Sequence, residues 1–374
     1  MRKFLLKGTV ALSFIFLAVS CGDKIDDYSG TDVNADVNFD IMTSSLAETK
    51  TVYSGYRTEF AERIDWESGD VVQIFSATSV PHNADYKAGD VTASSYQSTT
   101  EITPVNSNRI KWWGDENFEN VFYAVYPSPS VKSGDSFDNG IMKGNIPPDQ
   151  ESRGIKTNTT KADTPKAYVA VADLKNEYML ARTATKYVPS VELHFIPMTT
   201  AIEFTVTNSS TDRSPLLLKS VSVESKDHNI SGTFTADLPG KWTGEYGDVT
   251  MYGRVYPECK ALSPDDGGKK VSIDFSGTDI CAVGKGLAYG ETLTFTLFLR
   301  PTTDADDLTF TVERANGSKL STKLVDKDGK FIEFPCYKKS YVKGILVPEG
   351  EKFKGFFLVS VETWEDGGKR KITF

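Results

Sequence analysis

The sequence predicts an all-β protein built from β-sandwiches. Apolar and polar residues alternate in most patterned segments, for example in residues 33–41 and 293–299. This period of two points successive side chains to opposite faces of a sheet. Turn formers such as Asn316 and Gly317 separate the runs. No apolar stripe recurs at helical spacing, so helices should be few and short, and many short strands favour sandwiches.

The N-terminal segment has the features of an export signal. A basic start (residues 2–7) precedes an apolar run (residues 10–17) that is too short to span a bilayer. Residues 18–21 (AVSC) resemble the lipobox of bacterial lipoproteins, in which the cysteine is acylated and becomes the mature N-terminus. We therefore predict a lipoprotein signal peptide over residues 1–20 and a palmitate-type lipid on Cys21. An ordinary thiol near a signal sequence is the alternative.

An acidic tether is predicted directly after the lipidated cysteine. The tether spans residues 21–32, and its acidic cluster at residues 22–27 resembles the surface-export signal of Bacteroides-group lipoproteins; a solvated linker would explain the same charges. Cleavage after residue 20 removes three basic residues, so the formal charge changes from -9 to -12 (-9 - 3). An acidic surface argues against nucleic acid as a partner.

The remaining length predicts two domains. Without its signal peptide the chain has 354 residues (374 - 20), and a domain typically contains about 150. We place an N-terminal sandwich at residues 33–188 and a C-terminal sandwich at residues 189–374. Residues 76–108 and 128–165 are polar and are predicted to be long surface loops.

Catalytic and metal-binding motifs are absent from the sequence. The three histidines, His82, His194 and His228, lack the spacing of a zinc site, and His194 lies in an alternating run. No nucleophile elbow, phosphate-binding loop or dinucleotide fingerprint occurs. We therefore predict no enzymatic activity, no cofactor and no metal site.

Oxygen-bearing residues alternate between Asp32 and Asp40, as they do in a calcium-binding loop. Val37 stands where such a loop needs glycine, and Thr43 stands where it needs a bidentate glutamate. A strand with one polar face therefore fits this segment better than a calcium site.

Cysteine and tryptophan offer weaker signals. Cys259, Cys281 and Cys336 permit at most one intramolecular disulfide, and three small buried residues are the simpler interpretation. Trp112 and Trp113 would point to opposite faces of a strand, so one of them should belong to the core.

Four stretches taken together resemble the fimbrillin family, the subunits of Bacteroides-type fimbriae also called type V pili. They are residues 51–75 (TVYSGYRTEFAERIDWESGDVVQIF), 120–127 (NVFYAVYP), 191–208 (VELHFIPMTTAIEFTVTN) and 356–368 (FFLVSVETWEDGG). The resemblance implies two transthyretin-like (Ig-like) β-sandwich domains in tandem. It also implies lipoprotein export and assembly by strand exchange after a protease removes the first strand.

The resemblance assigns roles to three segments. Residues 33–41 would be the first strand, and processing would follow at Lys50 or Arg57, which are otherwise ordinary loop charges. The donor strand would lie in residues 356–374, which is otherwise a plain core strand; its candidate residues are Phe357, Val359 and Val361.

The leading hypothesis is a non-enzymatic cell-surface lipoprotein resembling a fimbrial subunit. Its expected partners are the outer membrane, reached through the N-terminal lipid, other fimbrillin-like subunits in a homo- or heteropolymer, and a processing protease that would release it into fimbriae. The alternative is a surface glycan-binding lipoprotein that uses long loops and exposed aromatic residues such as Trp112 or Trp113 on the same kind of sandwich.

Overall fold

The structure is a computed structural model that describes residues 35–42, 52–57, 62–93, 98–138, 141–158, 165–210, 212–237, 259–261, 267–302, 307–325, 329–331, 338–346 and 356–363. Within these residues the chain forms 27 β-strands and two 3-10 helices of three residues each, Pro129–Val131 and Leu174–Asn176, which confirms the all-β prediction.

In chain order the strands are β1 (Phe39–Met42), β2 (Val52–Arg57), β3 (Glu62–Asp65), β4 (Val71–Phe75), β5 (Asn83–Ala88), β6 (Thr92–Ala93), β7 (Ser98–Pro104), β8 (Asn120–Tyr126), β9 (Ser136–Asp138), β10 (Ile141–Ile146), β11 (Asp149–Gln150), β12 (Ser152–Asn158), β13 (Ala167–Ala172), β14 (Met179–Thr185), β15 (Val191–His194), β16 (Ile196–Pro197), β17 (Thr200–Asn208), β18 (Leu218–Ser225), β19 (Ser231–Asp237), β20 (Cys259–Ala261), β21 (Gly267–Gly268), β22 (Lys270–Asp274), β23 (Thr292–Leu299), β24 (Leu308–Arg314), β25 (Lys319–Lys323), β26 (Lys338–Leu346) and β27 (Phe356–Thr363).

The first sheet curls around a core of its own. Its strand order is β15-β1-β7-β5-β4-β8-β14-β16, and β6 pairs with β7. β14 and β15 stand near opposite ends of this strand order, yet Thr183 Oγ1 on β14 donates to the carbonyl of Glu192 on β15 at 2.8 Å. This contact brings the two ends of the sheet together. The enclosed side chains include Phe39, Tyr86 and Phe122.

A sandwich of two sheets forms most of the second half of the chain. The six-stranded sheet β12-β13-β23-β17-β26-β27 packs against the five-stranded sheet β11-β22-β18-β24-β25. Three aromatic rings lie at the centre of its core, with Phe204 stacked 4.4 Å from Phe310 and 5.5 Å from Phe295 between ring centroids.

A third sheet joins the two halves of the chain. In the order β20-β19-β10-β9, β10 from the first half pairs with β19 from the second along its whole length. Met142 and Phe234 on this sheet bury Val125 and Leu180, which lie on the outer face of the first sheet. The small β21 also pairs with β19, and β2 pairs only with β3 among the described strands.

Strands from both sides of residue 188 are interleaved. β15, which follows that position, pairs with β1, whereas β13, which precedes it, pairs with β23. Strand pairing therefore crosses residue 188, and the domain boundary predicted there stays a prediction. His194 lies in β15, as its alternating neighbours predicted.

The predicted long loops were wrong. Residues 76–108 contain β5, β6 and β7, and residues 128–165 contain β9 to β12. Their inward positions carry small or isolated apolar groups, such as Ala84, Tyr86 and Ala88 on β5, so the alternation is weak in the sequence although all three side chains are buried.

The structure describes two of the three remaining cysteines. Cys281 is a half-buried free thiol and Cys259 lies on β20, while Cys336 lies outside the described residues.

In the part of the chain that the structure describes, no helix is long and apolar enough to cross a membrane.

Candidate functional site: the slot around the first strand

The first strand lies inside a sheet. β1 runs parallel to β15 on one side, where Phe39 pairs with Val191, and antiparallel to β7 on the other, where Phe39 pairs with Ile102. A strand with neighbours on both sides contributes backbone hydrogen bonds to two ladders. We call the space that it fills, between β15 and β7, the slot.

Three side chains of the segment fill the apolar floor of the slot. Val37, Phe39 and Ile41 are 4%, 2% and 0% exposed, which is the period-two pattern that the sequence predicted. The ring of Phe39 meets those of Tyr86 and Phe122 edge to face, each with centroids 5.3 Å apart. Fully burying a side chain of this size contributes about 1.5–3 kcal/mol.

The slot extends beyond the four residues of β1. Val37 N–H donates to the carbonyl of Ile110 at 2.9 Å, and Trp112 N–H donates to the carbonyl of Ala35 at 3.0 Å. Residues 35–42 are therefore all paired to a wall of the slot. The segment from Ile110 to Trp112 forms part of this wall. Sequence reasoning missed its pairing with residues 35–37, because the contact joins segments that are far apart in the chain.

Tyr86 links the floor of the slot to this wall. Its hydroxyl accepts a hydrogen bond from the N–H of Ile110 at 2.9 Å. Burial raises the pKa of Tyr86 to about 12, and the hydrogen bond from Ile110 only partly opposes that rise. Tyr86 therefore stays neutral, and its oxygen holds the wall at physiological pH.

The outward side chains of the segment contact polar groups along the rim of the slot. Asp36 Oδ2 lies 3.3 Å from Arg109 Nε. Asn38 Nδ2 donates to the carbonyl of Pro189 at 3.3 Å. Two residues further along, Ser190 Oγ donates to an oxygen of Asp40 at 2.6 Å. We call these three contacts the polar rim.

The polar rim accounts for three of the alternating oxygen-bearing residues, Asp36, Asn38 and Asp40, whereas Asp32 and Asn34 lie outside the described residues. Asp36 and Asp40 contact protein groups along a strand, which agrees with the strand interpretation of this segment. Among the residues that the structure describes, no group of three or more His, Cys, Asp or Glu side chains is placed to hold a metal ion.

The other predicted site residues that the structure describes lie outside the slot. Cys21 and Lys50 are outside the described residues. Arg57 is the last residue of β2, where it pairs with Glu62 on β3. The candidate donor residues Phe357, Val359 and Val361 lie on β27, at the edge of the six-stranded sheet beside β26.

The two adjacent tryptophans differ in exposure. Trp112 is 4% exposed and packs edge to face on Phe122 at 5.4 Å, whereas Trp113 is 43% exposed. One of the pair belongs to the core, as strand geometry predicted. Trp113 is therefore the member of the pair that presents an aromatic surface.

The fold is shared with a solved structure from a Bacteroides bacterium. A candidate cell adhesion protein from Bacteroides ovatus superposes with a TM-score of 0.51 at 12% identity, covering 88% of this chain and 98% of that one. Another from Bacteroides uniformis gives 0.49 at 14% identity, covering 88% and 99%.

A fimbrial assembly protein from Parabacteroides distasonis gives a TM-score of 0.38 at 11% identity, covering 87% of this chain and 94% of that one. No family model and no curated protein sequence matches the chain. The sequence identity to the Bacteroides ovatus protein is low, so the structural likeness to it establishes a common fold and nothing more.

Proposed function

We propose that this protein is a non-enzymatic cell-surface subunit of the fimbrial type, which acts in adhesion and accepts a strand from another subunit in its slot. The observation that carries this proposal is the position of residues 35–42, an N-terminal segment paired on both sides within a sheet. The fold shared with the Bacteroides ovatus protein supports it.

Removal of the segment would leave a defined vacancy for a strand. The facing edges of β15 and β7 would lose their hydrogen-bond partners, and the apolar floor around Tyr86 and Phe122 would become exposed. A strand from another polypeptide restores both kinds of contact, which is the physical basis of strand addition.

Proteolysis after β1 would remove the covalent link that retains the segment. A cut after Lys50 leaves β2 joined to β3 in one chain, whereas a cut after Arg57 falls between these two paired strands. Lys50 is therefore the simpler processing site, because departure of the segment then breaks no strand pairing outside the slot.

The C-terminal strand is the proposed donor to another subunit. Among the described strands, β27 pairs only with β26, so it lies at the margin of its sheet. Its sequence alternates apolar residues at Phe357, Val359 and Val361, as an inserted strand requires.

Lysine- or arginine-specific protease treatment of the purified protein tests assembly. We expect polymer ladders that resist detergent at room temperature, and we expect their loss in a variant that lacks residues 356–374. Substituting Lys50→Ala or Arg57→Ala identifies the cleaved bond. Monomer under every protease condition would contradict assembly by strand exchange.

The lipid anchor has a separate test. We propose that acylation of Cys21 holds the protein on the outer membrane until processing, since two or more acyl chains bind a bilayer stably. Labelled palmitate should be incorporated by the natural protein and by Cys281→Ser, but not by Cys21→Ala. An unlabelled natural protein would contradict the anchor.

Surface glycan binding is the second candidate function. Trp113 favours it, because a 43% exposed indole offers a face on which a sugar ring can stack. Affinity gels containing a panel of polysaccharides should show retardation that Trp113→Ala removes. Equal mobility in every gel would leave only the first candidate.

A further inference from the structure

We propose that the slot selects its strand by the outward side chains, and that the preferred occupant carries an acid opposite Arg109 and a carboxylate opposite Ser190. This inference rests on the proposed function, because it names the kind of strand that enters the same slot. An acidic strand from a different subunit is therefore expected to occupy the slot better than the C-terminal strand of a second copy of this chain.

Arg109 is placed to recognise an acid at the first outward position. Its Nε lies 3.3 Å from Asp36, and its Nη1 donates to the carbonyl of Asn106 at 3.0 Å, so the wall itself orients the guanidinium. The two side chains of the ion pair are 40% and 52% exposed. Exposed pairs contribute little and are screened by salt, so this contact should adjust selection modestly.

Ser190 provides the stronger contact. Its hydroxyl donates to Asp40 at 2.6 Å, a short hydrogen bond to a carboxylate in a partly buried position. Hydrogen bonds to ionised acceptors are shorter and stronger than neutral ones. The next residue, Val191, donates its N–H to the carbonyl of Asn38 at 2.9 Å, so backbone pairing fixes the register in which Ser190 meets Asp40.

The C-terminal segment offers apolar side chains for the floor of the slot, but it cannot form all the contacts of the polar rim. In the direction of β1, the alignment that puts its three apolar residues at positions 37, 39 and 41 puts Phe356 opposite Arg109. Ser360 then lies opposite Ser190. A phenyl ring offers no acceptor to a guanidinium, so the ion pair is lost.

If the C-terminal segment enters the slot in the direction opposite to β1, it regains the ion pair with Arg109 but loses the hydrogen bond from Ser190. It places Glu362 opposite Arg109 but Leu358 opposite Ser190. In neither direction does the segment supply both acceptors, whereas residues 33–42 supply both. Because the apolar content is similar, the polar rim is the feature that separates the two strands.

A nicked form of the chain lets strand exchange be measured without deleting a core strand. A site for a sequence-specific protease is inserted after residue 47 in the chain that begins at residue 22. After cleavage the labelled first segment stays seated without a covalent link, and its release is followed by fluorescence anisotropy. The competitors are peptides of residues 33–42, the same peptide with Asp36→Ala or Asp40→Ala, and residues 355–364.

We expect the natural peptide to compete about tenfold better than the Asp40→Ala peptide, and better than the C-terminal peptide by a similar factor. The Asp36→Ala peptide should lose about twofold, and only at low salt. Equal competition by the C-terminal peptide would overturn the inference and leave strand exchange itself intact.

Variants of the slot assign the selection to named residues. Ser190→Ala should abolish the preference for Asp40 over alanine, and Arg109→Ala should abolish the salt-dependent preference for Asp36. Arg153→Ala is the matched control, because Arg153 forms a similar exposed ion pair with Glu67, at 2.8 Å, outside the polar rim. An unchanged preference in Ser190→Ala would overturn the inference.

Failure of the proposed function has a different signature. If no peptide re-enters the slot, strand exchange is contradicted, but the release rate of the nicked segment still reports on the polar rim. Faster release from Ser190→Ala than from Arg153→Ala would support selection by the rim. Equal release rates would overturn it.

Discussion

The side chain of Gln150 takes the place of a strand beside Phe298. Its Nε2 donates to the carbonyl of Phe298 at 2.6 Å, and its Oε1 accepts the N–H of Phe298 at 3.0 Å. Gln150 is only 4% exposed. β13 pairs with β23 only from Thr292 to Thr294, so the amide of Gln150 satisfies backbone groups further along β23.

Replacing this amide should destabilise the second sandwich. Gln150→Met leaves the N–H and carbonyl of Phe298 buried without their partner, so the free energy of unfolding should fall by about 2–4 kcal/mol. Urea denaturation measures this loss. Gln73→Met is the control, because Gln73 makes one partly exposed bond to Asp85, and it should cost less than about 1 kcal/mol. Equal losses in the two variants would contradict the structural role of Gln150.

Truncating the central side chain of the first strand should destabilise the first sheet. Phe39→Ala leaves a cavity between Tyr86 and Phe122, and the free energy of unfolding should fall by about 3–5 kcal/mol. Val283→Ala, at a residue that is 91% exposed, is the control and should change stability by less than about 0.5 kcal/mol. A loss below about 1 kcal/mol for Phe39→Ala would show that β1 is not part of the stable core.

The effect of Tyr86→Phe should depend on pH. The folded-state pKa of Tyr86 is about 12, against an ordinary value of 10.0. The unfolded chain therefore loses this proton first as pH rises, so the stabilisation is complete below about pH 10 and is lost between about pH 10 and 12.

Tyr86→Phe cannot ionise, but it deprives the N–H of Ile110 of its acceptor. At pH 8 the variant should be less stable by about 1–2 kcal/mol, and this difference should shrink toward pH 11. Urea denaturation of both proteins at pH 8, 10 and 11 provides the comparison. A difference that grows with pH would contradict the raised pKa of Tyr86.

A methyl group at Gly144 should disturb the sheet that joins the two halves of the chain. A Cβ atom there would lie 2.7 Å from the ring of Phe234 and 2.9 Å from that of Tyr178. We expect Gly144→Ala to cost about 1–3 kcal/mol, measured by thermal or urea unfolding. Gly277→Ala is the control, because nothing lies within 4 Å of its added Cβ. A neutral Gly144→Ala would show that these rings move aside freely.

Alternation in the sequence predicted strands well where the inward residues are large and apolar. Residues 37, 39 and 41 were assigned to a strand from this pattern, and their side chains are buried as expected. The same reasoning failed for β5, where Ala84 and Ala88 flank Tyr86 on the buried face. Small side chains are buried by their neighbours, and that burial leaves little trace in a local pattern of hydrophobicity.

Long-range pairing lay beyond the reach of local patterns. The interval of 149 residues between Asp40 and Pro189 (189 - 40) separates the first strand from part of its polar rim. The parallel register of β1 with β15 brings these positions together, so Ser190 meets Asp40 and Pro189 meets Asn38. No spacing within the sequence encodes such a contact.

By itself, the sequence determined the all-β class and the buried face of the first strand, because side-chain alternation within a strand is a local consequence of backbone geometry. Only the tertiary structure decided that this strand lies between β15 and β7, and that Arg109 and Ser190 face its outward side. Strand order depends on which distant segments bury their apolar faces together, and that choice is made by the whole fold.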